Sequence, residues 1–471
     1  MSGCRTPGRD RAVGGSERPS RPDGTLPTVK ASRRTRPRRI LLSVVGVFPL
    51  VGALTSVLWM LFATGELGSR GLLALGDWLL ASVTHPIGVV VVVQALYTAL
   101  QAVLWMRYRP FARPSDAVWP KVSVVIPAFN EGPMVERSIR SVARCEYPRD
   151  LLEIIVVDDG SRDDTFFHMQ RVRREHPGLV KLVRFAGNRG KRAALEAGFR
   201  AATGEILVTI DSDSVIDPST VREMVTPFLT DPRIGAVAGQ VAVLNRDSTI
   251  SRMLEVQYAL AFDFGRAAQS VYRCVSCCPG ALSALRRSLV LPHLEEWTRQ
   301  TFLGRPVNHG EDQALTNIVL RQGYDTVYQR TALVHTLAPT TYRQMSRMLV
   351  RWDRSYIVEG FSFARFMFTR WRKDNLLLPI VNFVVSNLRL VLLFWGLAQL
   401  PLVLGTDAGA LFNGSVAMLL GTLCTALYYL RVERSMRFAY GVLYAVFSAL
   451  ALQWTLPWAL LTVRDERWGT R

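Results

Sequence analysis

The feature that most constrains this chain is where its uncharged apolar runs fall. Runs of bilayer-crossing length lie at Ile40–Thr64, Pro86–Met106, Leu411–Leu430 and Phe438–Val463, with another at Leu376–Leu404 interrupted by Arg389. About 20 apolar residues suffice to cross a bilayer, so membrane helices are expected at both ends of the chain. Between them lies a 269-residue polar stretch, Arg107–Asn375. The net charge of +19 does not by itself signal a nucleic-acid partner, and none is expected. The first 39 residues carry 11 Lys and Arg against three acids, and Arg33, Arg34, Arg36, Arg38 and Arg39 abut the first run. Positive-inside anchoring explains arginines in that position.

This pattern divides the chain. Residues 1–39 are rich in Pro, Gly and Ser and read as a disordered basic tail. Residues 40–106 read as two transmembrane helices and 115–341 as a polar domain. Residues 342–375 mix Arg with Met, Phe and Tyr and read as amphipathic interfacial helices. Residues 376–463 are expected to supply two spans plus a third span or a re-entrant segment. Gln453 and Pro457 favour a break in the last run, and Arg464, Arg467 and Arg471 in the tail 464–471 prefer the cytosol. The expectation is a multi-pass integral protein of the plasma membrane with its polar domain in the cytosol.

Within that domain, apolar strand patterns alternate with helical ones. Val122–Ile126 is closed by Pro127–Glu131 and followed by a helix near Met134–Arg144. Glu153–Val157 ends in Asp158-Asp159-Gly160-Ser161, with a helix near Asp164–Arg174. Val180–Phe185 leads through Gly187–Arg192 into a third helix, and Ile206–Ile210 ends in Asp211-Ser212-Asp213. Such alternation predicts an α/β domain, a mostly parallel sheet with helices on both faces. Ligands of open α/β sheets bind at the carboxyl ends of the strands, where Asp158, Asp159, Asp211 and Asp213 all fall.

Two carboxylates on alternate positions after an apolar strand can hold a hard divalent ion against a diphosphate. A solvated turn is the bland alternative for Asp211 and Asp213. Gly190-Lys191 at a helix start suggests a phosphate loop, but Phe185 and Arg192 stand where that pattern needs Gly and Ser or Thr. Lys191 and Arg192 would then either reach a diphosphate or simply face solvent. Gly310-Glu311-Asp312 opening a helix supplies a carboxylate fit to accept a proton, with Glu311 capping and Asp312 catalysing. Metal and diphosphate chemistry without a triphosphate loop points to transfer from a nucleotide-activated group.

The residues Val124–Glu131, Val157–Ser161, Asn188–Arg192, Thr209–Ser214, Phe264–Ser270, Cys278–Arg287, Gln300–Gly304, Gly310–Asp312, Arg351-Trp352 and Trp468–Arg471 resemble those of processive family-2 glycosyltransferases, most like hyaluronan synthases. Chitooligosaccharide synthases share most of these motifs, and Glu311 with Cys274–Cys278 leans toward them; the cellulose synthases are also related. The resemblance implies a GT-A fold between transmembrane helices, an inverting transfer from UDP-sugars and a β-linked, secreted polysaccharide. It implies UDP-N-acetylglucosamine and UDP-glucuronate as donors, with the nascent polysaccharide and the lipid bilayer as partners. It also implies Asp158, Asp159, Lys191, Arg192, Asp211 and Arg351 around the UDP-sugar, Asp213 on Mg²⁺ or Mn²⁺, Asp312 as general base and Trp352 under the acceptor. Arg389 would line a polymer path or sit at the interface. A chitooligosaccharide-type N-acetylglucosaminyltransferase is the alternative enzyme, and a non-catalytic membrane scaffold the alternative outside catalysis.

One departure stands out. The family's acceptor-side signature is Gln-x-x-Arg-Trp, and here Met348 replaces the glutamine. Gln344, one turn earlier, would be the substitute. Cys274, Cys277 and Cys278 lack the further ligands a zinc site needs.

Overall fold

The computed structural model describes residues 86–369, 371–372, 376–388, 394 and 437–465. The expected basic tail 1–39, the runs Ile40–Thr64 and Leu411–Leu430, Arg389 and the closing Trp468–Arg471 lie outside the described residues.

The first described element is helix α1, Pro86–Arg107, which ends on the basic residue expected at the inner boundary of a span. No helix made wholly of described residues is long and apolar enough to cross a membrane. The C-terminal end of α1 runs into the domain, where the Tyr108 hydroxyl donates to the Tyr328 carbonyl at 2.8 Å.

Strands β1 (Val122–Ala128), β2 (Leu152–Asp158) and β4 (Ile206–Ile210) are buried along their whole length. Continuous Val/Ile/Leu runs suit strands covered on both faces. Their pleat sends alternate residues to opposite layers. Val122, Val124 and Ile126 face helices α2 (Met134–Ala143), α3 (Thr165–Glu175) and α5 (Thr220–Thr230). Val125, Ile155 and Val157 face α4 (Lys191–Ala201) and α8 (Glu311–Arg321). Helices therefore cover both faces, as expected. Strand β3 (Val180–Arg184) is buried only at Val180 because it forms one edge.

The remaining strands are β5 (Ser214–Ile216), β6 (Ile234–Val243), β7 (Leu282–Arg286) and β8 (Asp325–Thr336), and the order across the sheet is β3-β2-β1-β4-β7-β6-β8-β5. The sheet is mostly parallel, as expected, and mixed through two inverted strands, β5 and β7. The pairs β3/β2, β2/β1, β1/β4 and β6/β8 are parallel. By contrast β7 lies antiparallel between β4 and β6, and β5 runs antiparallel to β8.

That inversion positions the site. Ile210 pairs with Leu282, so the segment entering β7 arrives at the edge where β4 delivers Asp211. Ser214 pairs with Thr336, which brings the end of β8 to Asp213 in the same way. Helices α6 (Thr249–Ala259) and α7 (Gly265–Val271) are joined by a π-helical turn, Leu260–Phe264. The stretch expected to form interfacial helices is one 25-residue helix, α9 (Tyr342–Phe366). The last apolar run is broken at Leu452–Trp454 into α10 (Phe438–Ala451) and α11 (Thr455–Leu461). Helix α11 packs on α9 through Val350, Ile357 and Ala459.

Candidate active site

Four loops meet at the carboxyl ends of β1, β2 and β4, and short polar side chains fasten them to one another. Asn130, in the left-handed region at φ 52°, receives the Arg162 amide on Oδ1, while its own amide donates to Ser161 Oγ. Asp158 is fully buried, accepts the Ser161 amide at 2.9 Å and pairs with Arg184 at 3.1 Å. Asp159 clasps the loop leading into α4. Its oxygens accept the Arg189 and Gly190 amides at 2.7 and 2.9 Å and the Asn188 side chain at 3.0 Å. Gly160, at φ 72°, lets the two loops cross, for a Cβ there would lie 2.4 Å from the Gly187 carbonyl carbon.

Lys191, the first residue of α4, projects to the centre of these loops. Its Nζ lies 2.6 Å from Asp211 Oδ1 and 2.8 Å from Glu311 Oε1. Burial opposes the ammonium charge, but the two carboxylates outweigh it and hold Lys191 protonated far above the ordinary range. Arg192 does not join it. Adjacent helical residues diverge by about 100°, and Arg192 turns into the protein. There it donates to the Trp297 carbonyl at 2.6 Å, Gln300 Oε1 at 2.8 Å and the His309 carbonyl at 3.1 Å. It thereby braces the loop that enters α8.

Helix α8 starts at Gly310, whose left-handed φ of 70° and lack of Cβ let it sit against Ser355 of α9. The next two residues are carboxylates with different surroundings. Burial would raise the Glu311 carboxyl, yet the Lys191 ammonium overrides burial and holds it below its ordinary value. Asp312 goes the other way, raised first by burial and then by the neighbouring Glu311 carboxylate. One Asp312 oxygen accepts the Gly280 amide at 2.9 Å, with Cys277 Sγ at 3.7 Å; the other accepts the Gln313 amide at 2.8 Å. A pair of acids pushed apart in this way is the arrangement by which a site keeps one ionised for structure and the other basic enough to take a proton.

On the open side, Asp213 is half-exposed, with Ser214 Oγ and Thr336 Oγ1 each 3.2 Å from its Oδ1. No cage of three or more His, Cys, Asp or Glu side chains occurs among the described residues. The donor set therefore fits an ion held by one or two carboxylates together with the oxygens of a bound diphosphate, the usual habit of Mg²⁺.

Arg351 and Trp352 arrive on α9. Trp352 meets Phe262 edge-on at a centroid distance of 6.3 Å and lies 6.0 Å from the Tyr258 ring. Tyr258 and Phe262, one turn apart, themselves meet edge-on at 4.9 Å. The Tyr258 hydroxyl is raised by burial and then by Asp213, while Arg351 acts on both Tyr258 and Glu311. The aromatic floor and the carboxylates thus share one cleft. Met348 lies beneath it, its Sδ accepting from the Tyr258 hydroxyl at 3.5 Å. Gln344 cannot stand in for a glutamine at 348, because its side chain closes the capping box with Thr341 at the helix start. His309, also buried, is lowered to about 4 by burial, then by Arg354 and Arg192.

Lys191, Asp211 and Asp312 are therefore drawn together round Gly280, Asp213, Arg351 and Trp352 round Tyr258, and the buried Asp158 and Asp159 hold the loops that lead to Lys191. Sequence reasoning missed Cys277 and Gly280 as holders of Asp312, and Tyr258 and Phe262 as the floor. A Tyr and a Phe four residues apart in a helical segment were a readable signal. A cavity of about 590 Å³ lined by Gln300, Asn317 and Glu359 lies behind α8, away from the strand ends.

A family model described as glycosyltransferase like family 2 matches residues 120–355. An N-acetylglucosaminyltransferase of Azorhizobium caulinodans is 33% identical over 365 residues, covering 76% of this chain and 89% of that protein. A hyaluronan synthase of Streptococcus pyogenes is 30% identical over 399 residues, covering 82% and 91%. Among solved structures, a mannosyltransferase from Pyrobaculum calidifontis in complex with GDP-Man and Mn²⁺ aligns with a TM-score of 0.52 at 24% identity, over 77% of this chain and 98% of that one. This last likeness bears on the fold, a GT-A arrangement with a mixed sheet.

Proposed function

The chain belongs to glycosyltransferase family 2, and on that premise we propose that it polymerises UDP-sugars into a β-linked polysaccharide, hyaluronan, and passes it across the membrane. The observation that carries the reading is the opposed pair Glu311 and Asp312 beside the Trp352 floor. Glu311, tied to Lys191, stays ionised. Asp312 takes the proton of the acceptor hydroxyl as that oxygen bonds to the anomeric carbon. The bond from that carbon to the UDP oxygen breaks on the opposite side, and UDP leaves with the electron pair. A single in-line displacement inverts the anomeric centre, so an α-linked donor gives a β-linkage.

Asp158 and Asp159 shape the loops that would receive the uridine. Lys191 and Arg351 carry positive charge to the diphosphate side, and Asp211 positions Lys191. Asp213, with Asp211 nearby, would hold Mg²⁺ or Mn²⁺, which supplies neutralisation of the departing diphosphate. Trp352 offers an aromatic face on which an acceptor sugar stacks. The donors in this reading are UDP-N-acetylglucosamine and UDP-glucuronate. The apolar runs and their flanking arginines support an integral, multi-pass plasma-membrane protein with the catalytic domain in the cytosol.

A second reading, a chitooligosaccharide-type N-acetylglucosaminyltransferase, is favoured by the 33% identity to the Azorhizobium protein. The test is UDP release by the purified chain with Mg²⁺ or Mn²⁺, offering the two donors singly and together and digesting the product. Release that needs both donors, with a product cut by hyaluronidase, is expected. A chitinase-sensitive product from UDP-N-acetylglucosamine alone would select the second reading instead.

A further inference from the structure

Arg266 is nine-tenths buried at the start of α7, and no step described so far uses it. Its Nε donates to the Cys277 carbonyl at 3.1 Å, and its guanidinium carbon lies 4.2 Å from the centre of the Phe262 ring. Its NH1 is buried with no hydrogen-bond partner. A buried guanidinium with an unsatisfied N–H is a net burden on stability, so packing alone is a poor reason for an arginine here.

Its two contacts lie on opposite parts of the site. Phe262 stands edge-on to Trp352, the floor for the acceptor. Cys277 opens the segment whose thiol and Gly280 amide both meet Asp312 Oδ2. Burial, then Asp312, pushes the Cys277 thiol well above its ordinary range, so it remains a neutral S–H. Arg266 is thus the side chain that joins the aromatic floor to the loop holding the base. The join needs a planar cation offering a ring-stacking face and an in-plane donor at once, which arginine provides and lysine does not.

We propose that Arg266 is a positioning residue for sugar transfer, fixing the distance between the Asp312 carboxylate and the aromatic floor beneath the acceptor. This rests on the glycan-polymerising reading above. Without Arg266, the Cys277–Gly280 segment slackens and Asp312 loses the amide that holds its carboxyl down, while Lys191 keeps its pairing to Asp211 and Glu311.

The experiment compares wild type, Arg266→Met, Arg266→Lys and Phe262→Leu, with the double variant Phe262→Leu/Arg266→Met, as full chains in detergent. UDP affinity, UDP release against pH and product length are measured. Arg266→Met is expected to keep UDP affinity within about twofold while release falls by about 10²-fold, the scale of an ångström misplacement. The acid limb of its pH profile moves to higher pH. Arg266→Lys should recover little, and the double variant should be no worse than the poorer single one. Unchanged release, a pH profile lowered without displacement, recovery by lysine or additive losses would each overturn the proposal. Should the methionine variant not fold, Arg266→Lys and Phe262→Leu decide by the same pH displacement. If wild type itself releases no UDP from any UDP-sugar, the parent reading fails; wild-type turnover with an indifferent Arg266 variant sinks this inference alone.

Discussion

At the scale of single residues, function rests on unequal treatment of similar groups. Asp211, Glu311 and Asp312 are all carboxylates near Lys191, and the first two pair with it at 2.6 and 2.8 Å. Lys191→Met takes the paired ammonium from the buried Glu311 beside Asp312 and leaves the charge of Arg351 to offset it in part. The loss should be about 3 kcal/mol, at the low end for a broken buried pair because Asp211 keeps 29% of its side chain exposed. The sign with pH follows from Glu311, whose folded value is depressed. Its contribution is present above the ordinary carboxylate range and fades as pH falls through the folded value. Thermal unfolding of the two proteins should therefore differ most near neutrality and converge in acid. Equal stability at neutral pH would refute the pairing. Met348 offers a second residue-scale test. A glutamine there would accept the Tyr258 hydroxyl with an amide oxygen in place of sulfur. Met348→Gln should shift product length upward at unchanged UDP affinity, read by gel sizing of the polymer; an unchanged distribution would show that the sulfur already serves.

Elements matter here chiefly through their ends. The Gly160 and Gly187 loops cross so closely that Gly160→Ala must displace backbone rather than a side chain. Left-handed strain and overpacking together should cost about 2–4 kcal/mol and pull Asp159 off the Asn188–Gly190 amides. UDP binding should fall with stability, and titration calorimetry showing wild-type UDP affinity in this variant would contradict the clasp. The same elements show what was legible beforehand. Strand β4 runs from Ile206 to Ile210 as read, and β1 and β2 extend the reading by a residue or two, because short runs dominated by Val, Ile and Leu and closed by Pro or Asp leave few alternatives. The insertion of β7 between β4 and β6 was not legible. Leu282–Arg286 carries no mark of its partner, and that pairing joins residues 72 to 80 positions apart. The contact of Lys191 with both Asp211 and Glu311 was hidden for the same reason, as was the inward turn of Arg192.

In the whole molecule, the helices that carry the aromatic floor are held by contacts from the C-terminal segment. Arg354 of α9, one turn past Arg351, donates to Thr462 Oγ1 at 2.8 Å and lies 3.4 Å from Asp465. Arg437 pairs with Glu255 of α6, the helix that carries Tyr258. The C-terminal segment thus braces both helices that hold the aromatic floor. Whatever polymer is made, the reaction in this account depends on one proton acceptor. The most direct test is UDP release and UDP binding by full-length wild type beside Asp312→Asn, with both donors and Mg²⁺ or Mn²⁺ present. The account predicts unchanged UDP affinity with release down by about 10²–10⁴-fold, and a wild-type acid limb lying above the ordinary aspartate range, as the raised Asp312 carboxyl requires. Release at the wild-type rate, or loss of UDP affinity in the variant, would contradict it.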